Sequence, residues 1–315
     1  MSNNEINWSP EVWASINGTD QTNPGLLKTV MGPMRVAQHV FNTTVQGTED
    51  SIHADTVDLK TGIPTTGQMK SFATLIKSFV LFPVHVGDSK LTMAMNQVTL
   101  AAQSLALVED MLYFQGQKAK AILPKQVSMP DKDIEKLGDG LLGIAESNLT
   151  IQVALSNENN KTYGAQTFAA VVKGISFFTK NLQGPPYALI LEPAVYADTN
   201  VPLEDSSLIT PASAIRPLLE TGGFVMTPGL PQKTGLLVSL GGQTTTLYVG
   251  TAPAVACKFA TDNSYSFTAS ESIQFHNIDP RSLVKLEFTD DKSDRNGATT
   301  APATATATAT GNKIT

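Results

Sequence analysis

A mixed α+β fold is expected, on three observations. A long amphipathic helix is written between Asp88 and Gly116, the stretch from 236 to 289 alternates as strands do, and the residues between mix both patterns. In the helix, Leu91, Ala94, Val98, Ala101, Leu105, Val108 and Leu112 recur at alternating spacings of three and four, which sets them on one face. Asp88 or Ser89 can cap it and Gly116 can end it. Such an isolated rod suits a structural protein better than a compact enzyme.

Before the helix, residues 1–48 mix Asn, Thr, Gly and Pro with sparse apolar anchors, among them Trp8, Trp13, Ile16 and Val36. They read as an arm docked on something larger. Residues 49–86 carry few apolar residues until Phe72, and Thr61 to Gly67 has hairpin-tip composition, which predicts a two-stranded excursion returning along 72–86. A second helix is expected over 162–182, with Phe168, Val172, Ile175, Phe178 and Leu182 along one apolar face, ended by Gly184-Pro185-Pro186. Tyr187 to Leu191 reads as a buried strand, and Pro211 to Glu220 as a helix. Leu236, Val238 and Leu240 alternate before the Gly241-Gly242 turn. Tyr265, Phe267, Ala269, Ile273 and Phe275 also alternate, with Glu271 the one charged exception. Val284, Leu286 and Phe288 close the last strand. After Thr289 a charged run gives way to Ala and Thr, a composition expected to stay disordered.

Composition narrows the function. The chain has 315 residues and a net charge of −6, without the basic footprint of a nucleic-acid binder. Charged residues are only 16%, against roughly 25% in an average soluble domain. No stretch approaches the ~18 consecutive apolar residues of a membrane helix, so much surface is expected to face other subunits, whose interface cores are poor in charge. Met1 to Glu5 shows neither a basic nor an apolar leader region, and a cytoplasmic protein is expected. The single cysteine, Cys257, allows no intrachain disulfide and reads as an inert buried thiol.

Motifs for chemistry are weak. Gly138-Asp139-Gly140-Leu141-Leu142-Gly143 fits GxGxxG, but charged Asp131 to Lys136 precede it where a dinucleotide loop needs a buried strand, so a turn is expected. His39, His53, His85 and His276 are scattered without metal-ligand spacing. Glu109 and Asp110 are adjacent, so they do not face each other as a dyad. So near a helix C-terminus they need cationic or hydrogen-bonding partners, expected across a subunit contact.

The order of arm, excursion, long helix, mixed region and β return resembles the HK97 phage-capsid-like fold of tailed-phage capsid proteins and encapsulins. Several strings resemble encapsulin shell proteins of the linocin-like bacteriocin family: Leu107 to Gly116, Gly184 to Leu191, Gly223 to Leu230, Ser239-Leu240-Gly241-Gly242, Glu271 to Phe275, and Trp13-Ala14-Ser15-Ile16. The family's Ser-Leu-Arg-Gly-Gly-Asp lacks its Arg and Asp here, with Gln243 after the glycines. The resemblance implies an N-terminal arm (1–48), an E-loop (49–86), a P-domain with a long spine helix (87–124 and 236–289), an A-domain (125–235) and a tail (290–315). It further implies a self-assembling, closed icosahedral shell subunit that is not an enzyme and holds no cofactor or metal. Its partners would be copies of itself and a cargo protein with a targeting peptide, and no membrane. Trp13 and Ile16 are the candidate cargo-binding residues. The alternative is a phage or prophage major capsid protein packaging DNA, and a weaker one is a soluble enzyme.

Overall fold

The computed structural model describes residues 6, 8–20, 22–46, 51–58, 63–125, 127–155, 162–202, 209–261 and 263–290. The Ala/Thr-rich stretch beyond 290, and the turn joining the excursion's strands, lie outside them.

The N-terminal segment supplies α1 (Pro10–Asn17), α2 (Gly25–Met31), α3 (Val36–Val40) and β1 (Asn42–Val45). Gly18 ends α1 and Gly25 opens α2, both at positive φ, and a Cβ on Gly25 would stand 2.2 Å from the Gly18 nitrogen. Only glycine lets the two helices meet so closely.

The excursion follows as predicted, in short pieces. β2 (Ser51–His53) and β3 (Thr56–Val57) run out; β4 (Pro64–Thr65) and β5 (Met69–Ser71) return, with β2 antiparallel to β5 and β3 to β4. The chain then enters β6 (Ala73–Leu81). It does not stay extended to 86: Pro83, whose fixed φ suits a first helical position, opens the short α4 (Pro83–Val86).

The spine helix, α5 (Thr92–Gln115), ends against Gly116 as its sequence predicts. Its start is four residues later than Asp88. That carboxylate accepts the backbone N–H of Lys90 and Thr92 at 3.1 Å, while Leu91 takes a left-handed φ of 50°. The 24 residues span about 36 Å. All seven predicted apolar positions are buried, and from Val108 to Gln115 every residue is buried.

After β7 (Val127–Ser128) and α6 (Asp131–Glu135) come α7 (Gly140–Asn148), β8 (Thr150–Ala154), α8 (Gly164–Lys180), β9 (Tyr187–Leu191), α9 (Pro193–Thr199), α10 (Pro211–Leu219) and β10 (Phe224–Met226). The chain closes with β11 (Thr234–Ser239), the long β12 (Thr245–Thr261) and β13 (Ser264–Asn277), and β14 (Leu283–Thr289).

These strands form two five-stranded sheets, ordered β1-β12-β13-β6-β7 and β10-β9-β11-β14-β8. β14, grouped with 236–289 in the sequence reading, pairs with β11 and β8 in the second sheet. One face of that sheet, through Ala188, Ile190, Leu236 and Val238, joins the core around α5. The other, through Leu189, Leu191, Leu237 and Leu286, meets α8 and α10 in a second core. Covered on both faces, β9 and β11 are buried at every position, which is why Tyr187 to Leu191 reads as an unbroken apolar run and why the alternation expected at Leu236, Val238 and Leu240 does not mark an exposed face.

The buried face of α8 is not the predicted one. Thr167, Ala170, Val171, Gly174 and Phe178 face inward, whereas Phe168, Val172 and Leu182 are exposed and Ile175 is half-buried. The helix lies so close to the sheet that a Cβ on Gly174 would come within 2.4 Å of Leu237 Cδ2. Close approach selects small side chains for the inner face and leaves the larger ones outside.

Candidate functional site

Ile16 and Trp13 share one side of α1 at different depths. Ile16 is fully buried in the core, while Trp13 is half-buried in an aromatic cluster. Trp8 stacks on Phe267 with centroids 5.2 Å apart, Trp13 lies 5.2 Å from Trp8, and Phe79 also stacks on Phe267 at 5.2 Å. Trp8 Nε1 donates to the Val86 carbonyl at 3.2 Å. The Asn17 amide pairs with the Val255 backbone in both directions, at 2.7 and 3.0 Å. These bonds clamp α1 to β12.

The opposite side of α1 faces a groove of about 580 Å³ that the sequence did not reveal, lined by Glu11, Ala14, Ser15, Pro24, Leu26 and Thr29. Its walls are α1 and the start of α2, and the Gly18–Gly25 contact sets their crossing. The i, i+3, i+4 spacing of 11, 14 and 15 was available in sequence; the crossing that makes a groove of it was not.

The excursion has almost no core of its own. Ile52 and Ala54 are buried, whereas Ile63 and Met69 are 62% and 57% exposed. Its base is pinned to β13: Gln274 Nε2 donates to the Ser71 carbonyl at 2.8 Å, and His276 Nε2 meets the Asp55 carbonyl. Burial lowers the His276 pKa. The outer face of the first sheet is short of charge as well. Phe259, Ser266 and Val80 lie side by side across three strands, with Ala256, Thr268 and Ser78 in another such row. Phe259 and Val80 are each more than half exposed.

Inside, the arm meets the spine through a cluster of titratable groups. Arg35 Nε lies 2.7 Å from Glu109 Oε2, its Nη2 bonds Glu271, and Gln38 donates to the other Glu109 oxygen. Asp110 accepts the backbone N–H of Val36 at 3.1 Å and of Ala37 at 3.0 Å, and the Thr227 hydroxyl at 2.8 Å. The expectation that Glu109 and Asp110 find partners across a subunit contact is therefore corrected. Enclosure of the last two turns of α5 brings those partners from the same chain, and the Glu271 exception on β13 is one of the cluster. Burial opposes the charge of Arg35, but Glu271 and Glu109 outweigh it and keep the guanidinium protonated.

The weak motifs resolve as structure. Gly138 to Gly140 wraps the end of α5: Gln117 N–H donates to the Gly138 carbonyl at 2.7 Å, and a Cβ on Gly140 would stand 2.4 Å from the Gly116 nitrogen. The preceding element is α6, not a strand. Cys257 is half-buried and burial raises its pKa. Among the described residues, no group of three or more His, Cys, Asp or Glu could hold a metal ion.

Residues 137–274 match the model of a family described as encapsulating protein for peroxidase, Linocin_M18. No curated protein matches in sequence. In fold, the chain is similar to the virus-like particle protein of Pyrococcus furiosus, with a TM-score of 0.60 at 16% identity over 83% of this chain and 96% of that one. It is also similar to the SrpI encapsulin of Synechococcus elongatus PCC 7942, with a TM-score of 0.55 at 10% identity over 80% and 86%. The capsid of Myoviridae phage XM1 gives a TM-score of 0.54 at 12% identity over 81% and 92%. The chain has the HK97-type capsid fold, and its resemblance to encapsulin shell proteins holds.

Proposed function

We propose that this chain is the shell-forming subunit of a closed icosahedral protein compartment, and that the compartment encloses a cargo enzyme. The family match over 137–274, on a capsid-type fold, carries the reading. Physical support comes from the excursion. A hairpin that, among its described residues, buries Ile52 and Ala54 but exposes Ile63 and Met69 gains its burial against a neighbouring copy. The apolar and hydroxyl side chains on the outer face of the first sheet, Phe259 and Val80 among them, suit the same kind of contact. The division into arm (1–48), E-loop (49–86), P-domain (87–124 and 236–289) and A-domain (125–235) belongs to this proposal.

The subunit builds and encloses rather than catalyses, and it works in the cytoplasm. Among the described residues, no helix is long and apolar enough to cross a membrane. A targeting peptide of the cargo docks at α1, where Trp13 offers a part-exposed ring and Ile16 anchors the helix from beneath.

Electron microscopy of purified particles, with mass spectrometry of their contents, tests the proposal. Closed shells with one co-purifying enzyme are expected. Packaged DNA would favour the phage-capsid reading, and a stable monomer would refute both. Trp13→Ala should lower co-purifying cargo about tenfold with shells intact. Ile16→Ala should instead destabilise the subunit by about 2–5 kcal/mol, the usual range for a buried aliphatic truncation.

A further inference from the structure

The arm is joined to the spine at a place where charge does not balance. Three carboxylates, Glu109, Asp110 and Glu271, meet one guanidinium, Arg35, and all four residues are buried. Asp110 is the best satisfied, with two backbone N–H donors and one hydroxyl. Glu109 and Glu271 share Arg35 between them. Four polar atoms here are buried without a hydrogen bond: Glu271 Oε1, the Tyr113 hydroxyl oxygen, and Arg35 Nε and Glu109 Oε2, which face each other as an ion pair at 2.7 Å.

The groups facing Glu109 come from each element packed there. Arg35 and Gln38 belong to the arm, Asp110 and Tyr113 to α5, and Glu271 to β13. β6 places Leu75 opposite Glu271, and α2 brings the Met31 sulfur to 3.7 Å from Arg35 Nη2. With every carboxylate ionised the cluster carries two uncompensated negative charges away from water, a strongly unfavourable arrangement. One proton on the Glu109–Glu271 pair removes half of that excess, and it gives the site an O–H donor.

We propose that the Arg35–Glu109–Glu271 cluster is a proton-dependent latch on the N-terminal segment. A proton held between the two glutamates keeps the N-terminal segment docked on the spine helix, and its loss to water as pH rises releases that segment. The direction follows from the surroundings. Burial and the nearby Glu271 carboxylate push Glu109 well above the usual carboxylate range, with Arg35 only partly offsetting them. Burial raises Glu271 also, against the pull of Arg35. A carboxyl raised in the folded state contributes stability that is fully present below its unfolded value, and that stability is lost as pH rises through the folded value. The latch therefore tightens as pH falls and loosens as pH rises.

The chain carries its own reporter, because both of its tryptophans, Trp8 and Trp13, sit in the segment to be released. Purified full-length protein is titrated from about pH 6 to 9.5, reading tryptophan emission and the hydrogen-exchange protection of the Val36 and Ala37 amides, corrected for intrinsic base catalysis. A red shift with selective loss of protection at those amides is expected on the alkaline side. Glu109→Gln keeps the shape and donor of the protonated acid but cannot release a proton. It should move the transition up by about one pH unit or more, a tenfold change in proton affinity, or abolish it. Glu271→Gln should do the same, and serves if Glu109→Gln does not fold. A wild-type profile flat to pH 9.5, or variant profiles that superimpose on the wild type, would overturn the latch.

Discussion

The two cores of this molecule are built on different principles. The one between the second sheet and α8 and α10 is an apolar sandwich, in which Phe178 stacks on Tyr187 with centroids 5.6 Å apart. The one around α5 is larger and joins the arm, both sheets and the spine helix, yet it encloses Arg35, Glu109, Asp110 and Glu271. An apolar core is insensitive to pH and indifferent to partners. A core that closes over charges is only as stable as its hydrogen bonds and its protonation allow. The difference matches the tasks proposed for the two parts, because the charged core is the one that positions the arm, the excursion and the docking helix.

Removing the excursion breaks the comparison most severely. If 54–68 are replaced by a tight turn that keeps the pairing of β2 with β5, the second core should stay folded while closed shells fall more than tenfold in analytical ultracentrifugation. Normal shells from that variant would mean the excursion is not an assembly element.

Truncation in each core sharpens the contrast. Phe178→Ala should cost about 3–5 kcal/mol through the cavity it leaves. Arg35→Met should cost about as much, roughly 3–5 kcal/mol, by stranding Glu109 and Glu271 without their cation. Only the second penalty should change with pH, growing from pH 6 to 9 as the stranded carboxyls ionise. Equal pH dependence for both variants, measured by urea unfolding, would erase the distinction drawn between the cores. A smaller effect is expected at Thr227, whose hydroxyl donates to Asp110. Thr227→Val should cost about 1.5–3 kcal/mol, the range for a hydrogen bond to a charged group.

Much of this architecture was legible in sequence, because periodicity records which face of an element is buried. The seven apolar positions of α5 and the alternation of β13 were readable without a structure. Glu271 stood out there as the exception, and it is the residue that reaches Arg35. That pairing was not legible, because it joins residues 236 positions apart and an isolated arginine carries no local pattern. The inner face of α8 was misread for another reason. Hydrophobic periodicity weights large side chains, whereas close approach to a sheet selects small ones such as Ala170 and Gly174. The groove between α1 and α2 was hidden because it exists only where two helices cross.

Two phenylalanines on α8 give the finest test. Phe178 is fully buried and Phe168 is 36% exposed, although the spacing pattern put both on one face. Phe178→Ala loses a filled site, whereas Phe168→Ser trades a part-exposed ring for a hydroxyl that water can satisfy. Urea unfolding of dissociated full-length subunits should give Phe168→Ser a change within about 0.5 kcal/mol, as for surface positions generally. A loss above about 2 kcal/mol in the subunit would mean that the ring is packed after all, and that the sequence pattern had the face right. If the subunit is unaffected while assembled particles lose thermal stability, the exposed side of α8 is covered by a neighbouring copy. The large residues left outside by close packing would then be serving the interface between subunits.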